Sequence, residues 1–236
     1  MEKIIDKDSL DSYRNKMSHN RRVIAQARAI IQRSKSAGIP DKYLRINRQK
    51  LKTVIDDHYH KDVDSLLSNI YDKPMDLMKK EFIIIDGGTM MQRKLAGFAL
   101  LFRFISCDKC GLYKHGTELA HQLQSINVNS ENLSRNDLAD SLRHADILFI
   151  SEILKTDFRK GFETGRFFDE ILSYRDDYVK PTIISFANPL PSLNSGVYDD
   201  NEMTEQDQYG QYMCTLSRSE KSKNDKIFRI RVKNNG

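Results

Sequence analysis

The chain has 236 residues and 27.4 kDa, enough for one substantial core, and its 39% hydrophobic and 30% charged residues argue against wholesale disorder. Its longest apolar run, around Phe98 to Ile105, is interrupted by Arg103 and falls short of the roughly 20 residues that span a bilayer. The opening MEKIIDKD lacks the apolar core of a signal peptide, and three cysteines do not make a disulfide scaffold. A membrane protein, a secreted mini-domain and a repeat array are therefore excluded, and a cytoplasmic location is expected.

The net charge of +5 hides a segregated pattern. Residues 1–52 hold 14 Lys/Arg against 5 Asp/Glu, residues 53–215 hold 17 against 26, and residues 216–236 hold 7 against 2. A basic head and tail around an acidic body suit contact with something anionic, either nucleic acid or an acidic protein.

In chain order, the first element reads as helical. From Asn20 to Ala37, Val23, Ile24, Ala27, Ile30 and Ile31 follow helical spacing, with Arg21, Arg22, Arg28 and Arg33 on other faces. Asn20 or Ser18 can cap it, Gly38-Ile39-Pro40 stops it, and a separate shorter helix capped by Ser9 is expected before it. Two such helices bury too little to form a core alone. They need a partner surface, either the chain's own body or another protein. A helix is expected around residues 54–70, broken by Asp72-Lys73-Pro74.

Strands and helices then alternate. Phe82-Ile83-Ile84-Ile85 is a continuous apolar run of the buried parallel type, and Asp86-Gly87-Gly88 turns into a helix from about Met91 to Ile105. A short strand near 111–114, helices from Glu118 and over 135–144, and the strand Ile147-Leu148-Phe149-Ile150 follow. A helix over 165–173 precedes the strand 182–186, and Phe228, Ile230 and Val232 alternate with Arg229 and Arg231 as an exposed-edge strand would. Five strands alternating with helices specify an α/β fold with a mostly parallel sheet.

The strand, Gly-bearing turn and helix at Asp86–Lys94 have the outline of a phosphate loop, whose backbone N–H groups cradle phosphates at a helix N-terminus. The working pattern G-x-x-x-x-G-K-[ST] is broken. Starting at Gly87, with Gly88 and Thr89 in the loop, Gln92 takes the place of the second Gly, Arg93 of the Lys and Lys94 of the hydroxyl residue. A register anchored on Lys94-Leu95-Ala96 puts Gln92 at the Lys and Arg93 at the hydroxyl, so neither leaves a Ser or Thr for magnesium. Some sixty residues on, a buried strand ends in Ser151-Glu152 where a nucleotide hydrolase has Asp-Glu, so only the water-polarising Glu152 is kept. The string 180–188 places Asn188 at a strand end, as a γ-phosphate sensor would be.

This order of parts resembles the AAA+ ATPases, and within them the bacterial DnaC/DnaI helicase loaders and their relative IstB. Gly38-Ile39-Pro40 with Tyr43, Lys94-Leu95-Ala96, residues 146–153, residues 180–188 followed by Pro191-Ser192-Leu193, and Tyr209-Gly210-Gln211 carry the likeness over about residues 37–236. The resemblance implies a P-loop-type sheet without a large lid (37–236) behind a basic helical partner-binding region (1–36). It also implies an arginine-finger helix, where this chain has only Arg218, displaced from the family's position.

The expected function is that of a replication factor that binds a hexameric replicative helicase and positions it on single-stranded DNA. Nucleotide chemistry would be lost or weakened, so neither ATP nor magnesium is a required cofactor. Arg21, Arg22, Val23, Ile24, Arg28, Ile31 and Arg33 are the candidate helicase contacts, and Lys221, Lys223, Arg229 and Arg231 the candidate DNA contacts. Degenerate motifs suit a specialised, phage or mobile-element version, and neighbouring copies could associate. Three other readings stay open. One is a nucleotide-hydrolysing loader or IstB-type transposition ATPase; short of that, Arg93 or Lys94 could replace the Lys so that nucleotide binds without rapid hydrolysis. Another is an interaction protein that captures a host helicase loader. The third is a nucleotide-free DNA-binding module.

Two metal-like sets are set aside. Cys107-x-x-Cys110 with His115 is half a zinc site with no second pair, and belongs to a helix-to-strand turn. Asp56-Asp57-His58-Tyr59-His60, on a helix, would send its two imidazoles to opposite sides. No metal site is expected.

Overall fold

The computed structural model describes residues 7–128, 132–153, 162–186 and 227–233. Its centre is a five-stranded sheet of β1 (Phe82–Gly87), β2 (Gly111–His115), β3 (Ile147–Ile153), β4 (Thr182–Phe186) and β5 (Ile227–Val232), in the order β2-β3-β4-β1-β5. All four strand pairings are parallel, so the mostly parallel expectation holds throughout. Helices cover both faces. Ile83, Ile85, Phe149 and Ile183 point into one core, under α5 (Met90–Ser106). Their alternating neighbours Ile84, Leu148, Ile150 and Ile184 point into the other. That second core is closed by α6 (Gly116–Val128), α7 (Asn132–His144) and α8 (Phe162–Asp177). Burial on both sides explains why these strands read as unbroken apolar runs.

Helix α5 lies close against the sheet. A Cβ at Gly97 would meet the Phe149 ring at 2.1 Å, so the absent side chain sets the helix-to-strand distance. At the other end of the sheet Arg175 is almost fully buried. It donates to the carbonyls of Leu142, Ala145 and Pro181 and to Thr182 Oγ1, tying the end of α7 to the start of β4. Burial, partly offset by Asp146, lowers its pKa to about 10.

The N-terminal region departs from the two-helix expectation. α1 runs unbroken from Lys7 to Ser36. No Gly or Pro interrupts residues 9–36, so Ser18 and Asn20 lie within the helix and do not cap a second one. Among the residues of α1 whose side chains are described, those of its last turns meet the body. Ser34 and Ala37 are buried, Arg33 pairs with Asp108 at 2.8 Å, and the Tyr113 N–H donates to the Ala37 carbonyl at 2.8 Å. Residues 16–29 are exposed on every side.

The helix expected over 54–70 is also corrected. Helix α2 (Arg48–Lys52) is short, and α3 begins only at Val63 and ends at Tyr71, capped by Asp62. Between them Ile55 forms an antiparallel bridge with Val232 on the outer side of β5. The Asp56 carboxylate then accepts the N–H groups of His58 and Tyr59, a local bond that competes with helix. A final short helix, α4 (Pro74–Leu77), leads into β1. No helix among the described residues is long and apolar enough to cross a membrane.

Candidate functional site

The sheet topology brings the ends of β1, β3 and β4 together at its C-terminal edge, the usual site for ligands of open parallel sheets. Gly87 ends β1 and Gly88 follows it, Ser151 and Glu152 lie near the end of β3, Ser185 lies on β4, and Arg93 reaches in from the first turns of α5. Sequence reasoning placed all but Ser185 in one constellation.

The β1–α5 connection is only Gly88-Thr89 long. Gly87 and Gly88 adopt left-handed φ values of 80° and 52°. A Cβ on Gly88 would lie 2.6 Å from the Lys233 carbonyl, so glycine is required there. Thr89 caps α5 reciprocally with Gln92. The Gln92 N–H donates to Thr89 Oγ1, and the Thr89 N–H donates to Gln92 Oε1 at 2.7 Å. Two N–H groups that a phosphate cradle would offer are thus engaged within the turn.

Arg93 closes the rest. Its Nε and Nη2 donate to the two Glu152 carboxylate oxygens at 2.9 and 2.6 Å. Its Nη1 donates to the carbonyls of Gly87 and Gly88 at 2.8 and 2.6 Å. Both partners are buried, with side chains 5% and 6% exposed. The turn therefore directs carbonyl oxygens inward, an arrangement that suits a guanidinium and repels phosphate. Glu152 is held from its other side by Ser185, whose hydroxyl accepts the Glu152 N–H at 3.0 Å and donates to Oε1 at 3.1 Å. Its left-handed backbone, φ 56°, coincides with a register shift between β3 and β4 at Ile150/Ile153. Ser151 bonds the Tyr113 hydroxyl at 2.9 Å, and burial raises the pKa of that phenol.

Among the described residues, this site does not fit a nucleoside triphosphate with magnesium. Lys94 points elsewhere, into a shallow cavity of about 170 Å³ shared with Pro40, Tyr43, Met90 and Tyr113, smaller than the ~300–1,000 Å³ of small-molecule pockets. Asn188 and Arg218 lie outside the described residues.

The DNA candidates divide. Lys221 and Lys223 lie outside the described residues. Arg229 and Arg231, expected on an exposed edge, instead both pair with the fully buried Asp86 of β1. A buried carboxylate needs a cation, and the parallel register sets Asp86 beside Arg231. The Arg231 N–H also donates to His60 Nε2 at 2.9 Å, and both guanidinium groups lie near the Tyr59 ring. The pairing was missed because its signal, one charge in an apolar strand, is visible only once β5 is placed beside β1. Of the helicase candidates, Arg21, Arg22, Val23, Ile24, Arg28 and Ile31 are exposed on α1, whereas Arg33 is half-buried on Asp108. Among the described residues no group of three or more His, Cys, Asp or Glu could hold a metal ion. Cys107 and Cys110 lie in the α5–β2 turn.

No protein-family model and no curated protein matches the chain. Solved structures do. The chain is similar to DnaI at 16% identity and TM-score 0.54, covering 83% of this chain and 95% of that one. It is similar to the DnaC helicase loader at 13% and 0.52, covering 81% and 99%. A third likeness, to AMPPCP-bound DnaA from Aquifex aeolicus, stands at 12% and 0.52 and covers 81% of this chain and 50% of that one. The chain thus spans about half the length of that initiator structure and nearly all of the other two. At these identities the likeness is one of fold.

Proposed function

We propose that this chain is a helicase-loader-like replication factor that works by binding, without ATP turnover. The exposed α1 engages a hexameric replicative helicase, and the α/β body holds it for single-stranded DNA, with Lys221 and Lys223 as DNA contacts. Arg93 carries the reading. Its guanidinium is bonded to Glu152 and to the Gly87 and Gly88 carbonyls, which supports a turn that no longer accepts a triphosphate. The near-complete overlap with DnaI and with the DnaC helicase loader supports the loader assignment over that of an initiator. A body of this kind suits a specialised or mobile-element system, in which a resident helicase is captured by affinity alone.

Purification with the helicase encoded in the same genome tests this. Mass determination after size exclusion should find one complex of the same mass with and without ATP and magnesium. A complex that forms only with ATP, or none at all, would sink the proposal. Recovery of a host loader in place of the helicase would favour the capture reading.

A further inference from the structure

Because α1 is one unbroken helix, residues seven apart stay on nearly one line along it. Leu10, Met17, Ile24 and Ile31 share such a line, and Tyr13, Asn20, Ala27 and Ser34 share the adjoining one. These are the a and d positions of a coiled-coil seam, sustained through four heptads. Where side chains are described the seam is open. Met17, Ile24 and Ile31 are 40%, 52% and 42% exposed, and the body closes it only at Ser34.

The flank of the seam decides what can cover it. Its e positions are Arg14, Arg21, Arg28 and Lys35, and no Asp or Glu occurs from residue 12 to residue 40. In an antiparallel pair of α1 helices, e faces e, so Arg and Lys would meet only Arg and Lys. In a parallel pair, g faces e, which sets Lys16 against Arg21 and leaves Arg28 and Lys35 beside Val23 and Ile30. Beyond Tyr13 the d layer is small or polar, with Asn20, Ala27 and Ser34, so a symmetric seam would be underfilled there. Self-pairing is disfavoured on both counts.

We infer that α1 pairs as a coiled coil with an acidic helix of another protein. That helix carries Glu or Asp beside its seam and large apolar residues opposite Ala27. The inference rests on the reading of α1 as the partner-binding element and names the chemistry of the surface it meets.

Titration of the full-length chain with two synthetic peptides of about 28 residues tests it without any helicase. Both carry Leu at a and d; one has Glu at every e and g, the other Lys. The Glu peptide should bind with a gain of helical ellipticity and the Lys peptide should not. Ile24→Asp should weaken binding about tenfold or more, since it buries a charge in the seam. Ala25→Asp, outside the seam, should leave it unchanged. The triple variant Arg14→Glu/Arg21→Glu/Arg28→Glu should reverse the preference to the Lys peptide. Arg21, Ile24, Ala25 and Arg28 are exposed, so an unchanged melting temperature serves as the folding control. Binding of neither peptide, equal binding of both, or a chain that dimerises until Ile24→Asp is introduced would each overturn the inference. Loss of the helicase complex alone would leave it standing.

Discussion

At the scale of single residues, the buried pair Arg93–Glu152 dominates. Taking two charges out of water is costly, and the cost is met here by four hydrogen bonds from the guanidinium to oxygen. Arg93→Ala would leave Glu152 buried without its cation and is expected to destabilise the fold by about 3–5 kcal/mol, read from chemical denaturation. Arg93→Lys should recover little of this, since one ammonium cannot reproduce the two-pronged contact. A second residue-scale prediction concerns His60. Burial, reinforced by Arg229 and Arg231 and opposed by Asp56 and Asp86, holds its pKa below the ordinary 6.5. The unfolded chain therefore binds the extra proton first. Stability should be intact above about pH 6.5 and fall as pH drops toward the lowered value. Protonation would also remove the acceptor for the Arg231 N–H. Melting temperatures from about pH 7.5 to 5 should show this slope in the native chain and a shallower one in His60→Gln; identical slopes would exclude His60 as its source. Sequence reasoning placed Arg93 in this turn as a residue of a vestigial nucleotide site, without its contact to Glu152. Nothing in a linear string told it that the two glycine carbonyls face inward.

At the scale of elements, legibility followed burial. The strands β1, β3 and β4 announce themselves because parallel strands covered on both faces have no polar phase. The segment 54–62 misled because His, Asp and Tyr at helical spacing can serve equally well in a turn held by Asp56. The long α1 was divided because Ser18 and Asn20 look like caps, although no helix breaker accompanies them. Packing of α5 on β3 gives a sharper test. Gly97→Ala would drive a methyl group into the Phe149 ring, and overpacking of this kind should cost about 1–3 kcal/mol, seen as an earlier unfolding midpoint. An unchanged midpoint would mean that α5 can lift from the sheet. By contrast, Ile24→Asp on α1 should leave the midpoint of the body unmoved, because Ile24 is about half exposed.

At the scale of the molecule, charge and topology divide the labour. The sheet order and the glycine turn give an α/β body with its candidate site at one sheet edge, and the acid-free stretch of α1 stands away from it. Losing a triphosphate ligand set removes several charge-assisted contacts at about 1.5–3 kcal/mol each, enough to erase useful affinity. On the proposed reading, the shape of the body would not depend on which nucleotide is present. Isothermal titration of the intact chain with ATP and magnesium examines this most directly. No binding heat is expected up to about 1 mM nucleotide. A saturable heat with micromolar Kd would contradict a turn already filled by Arg93.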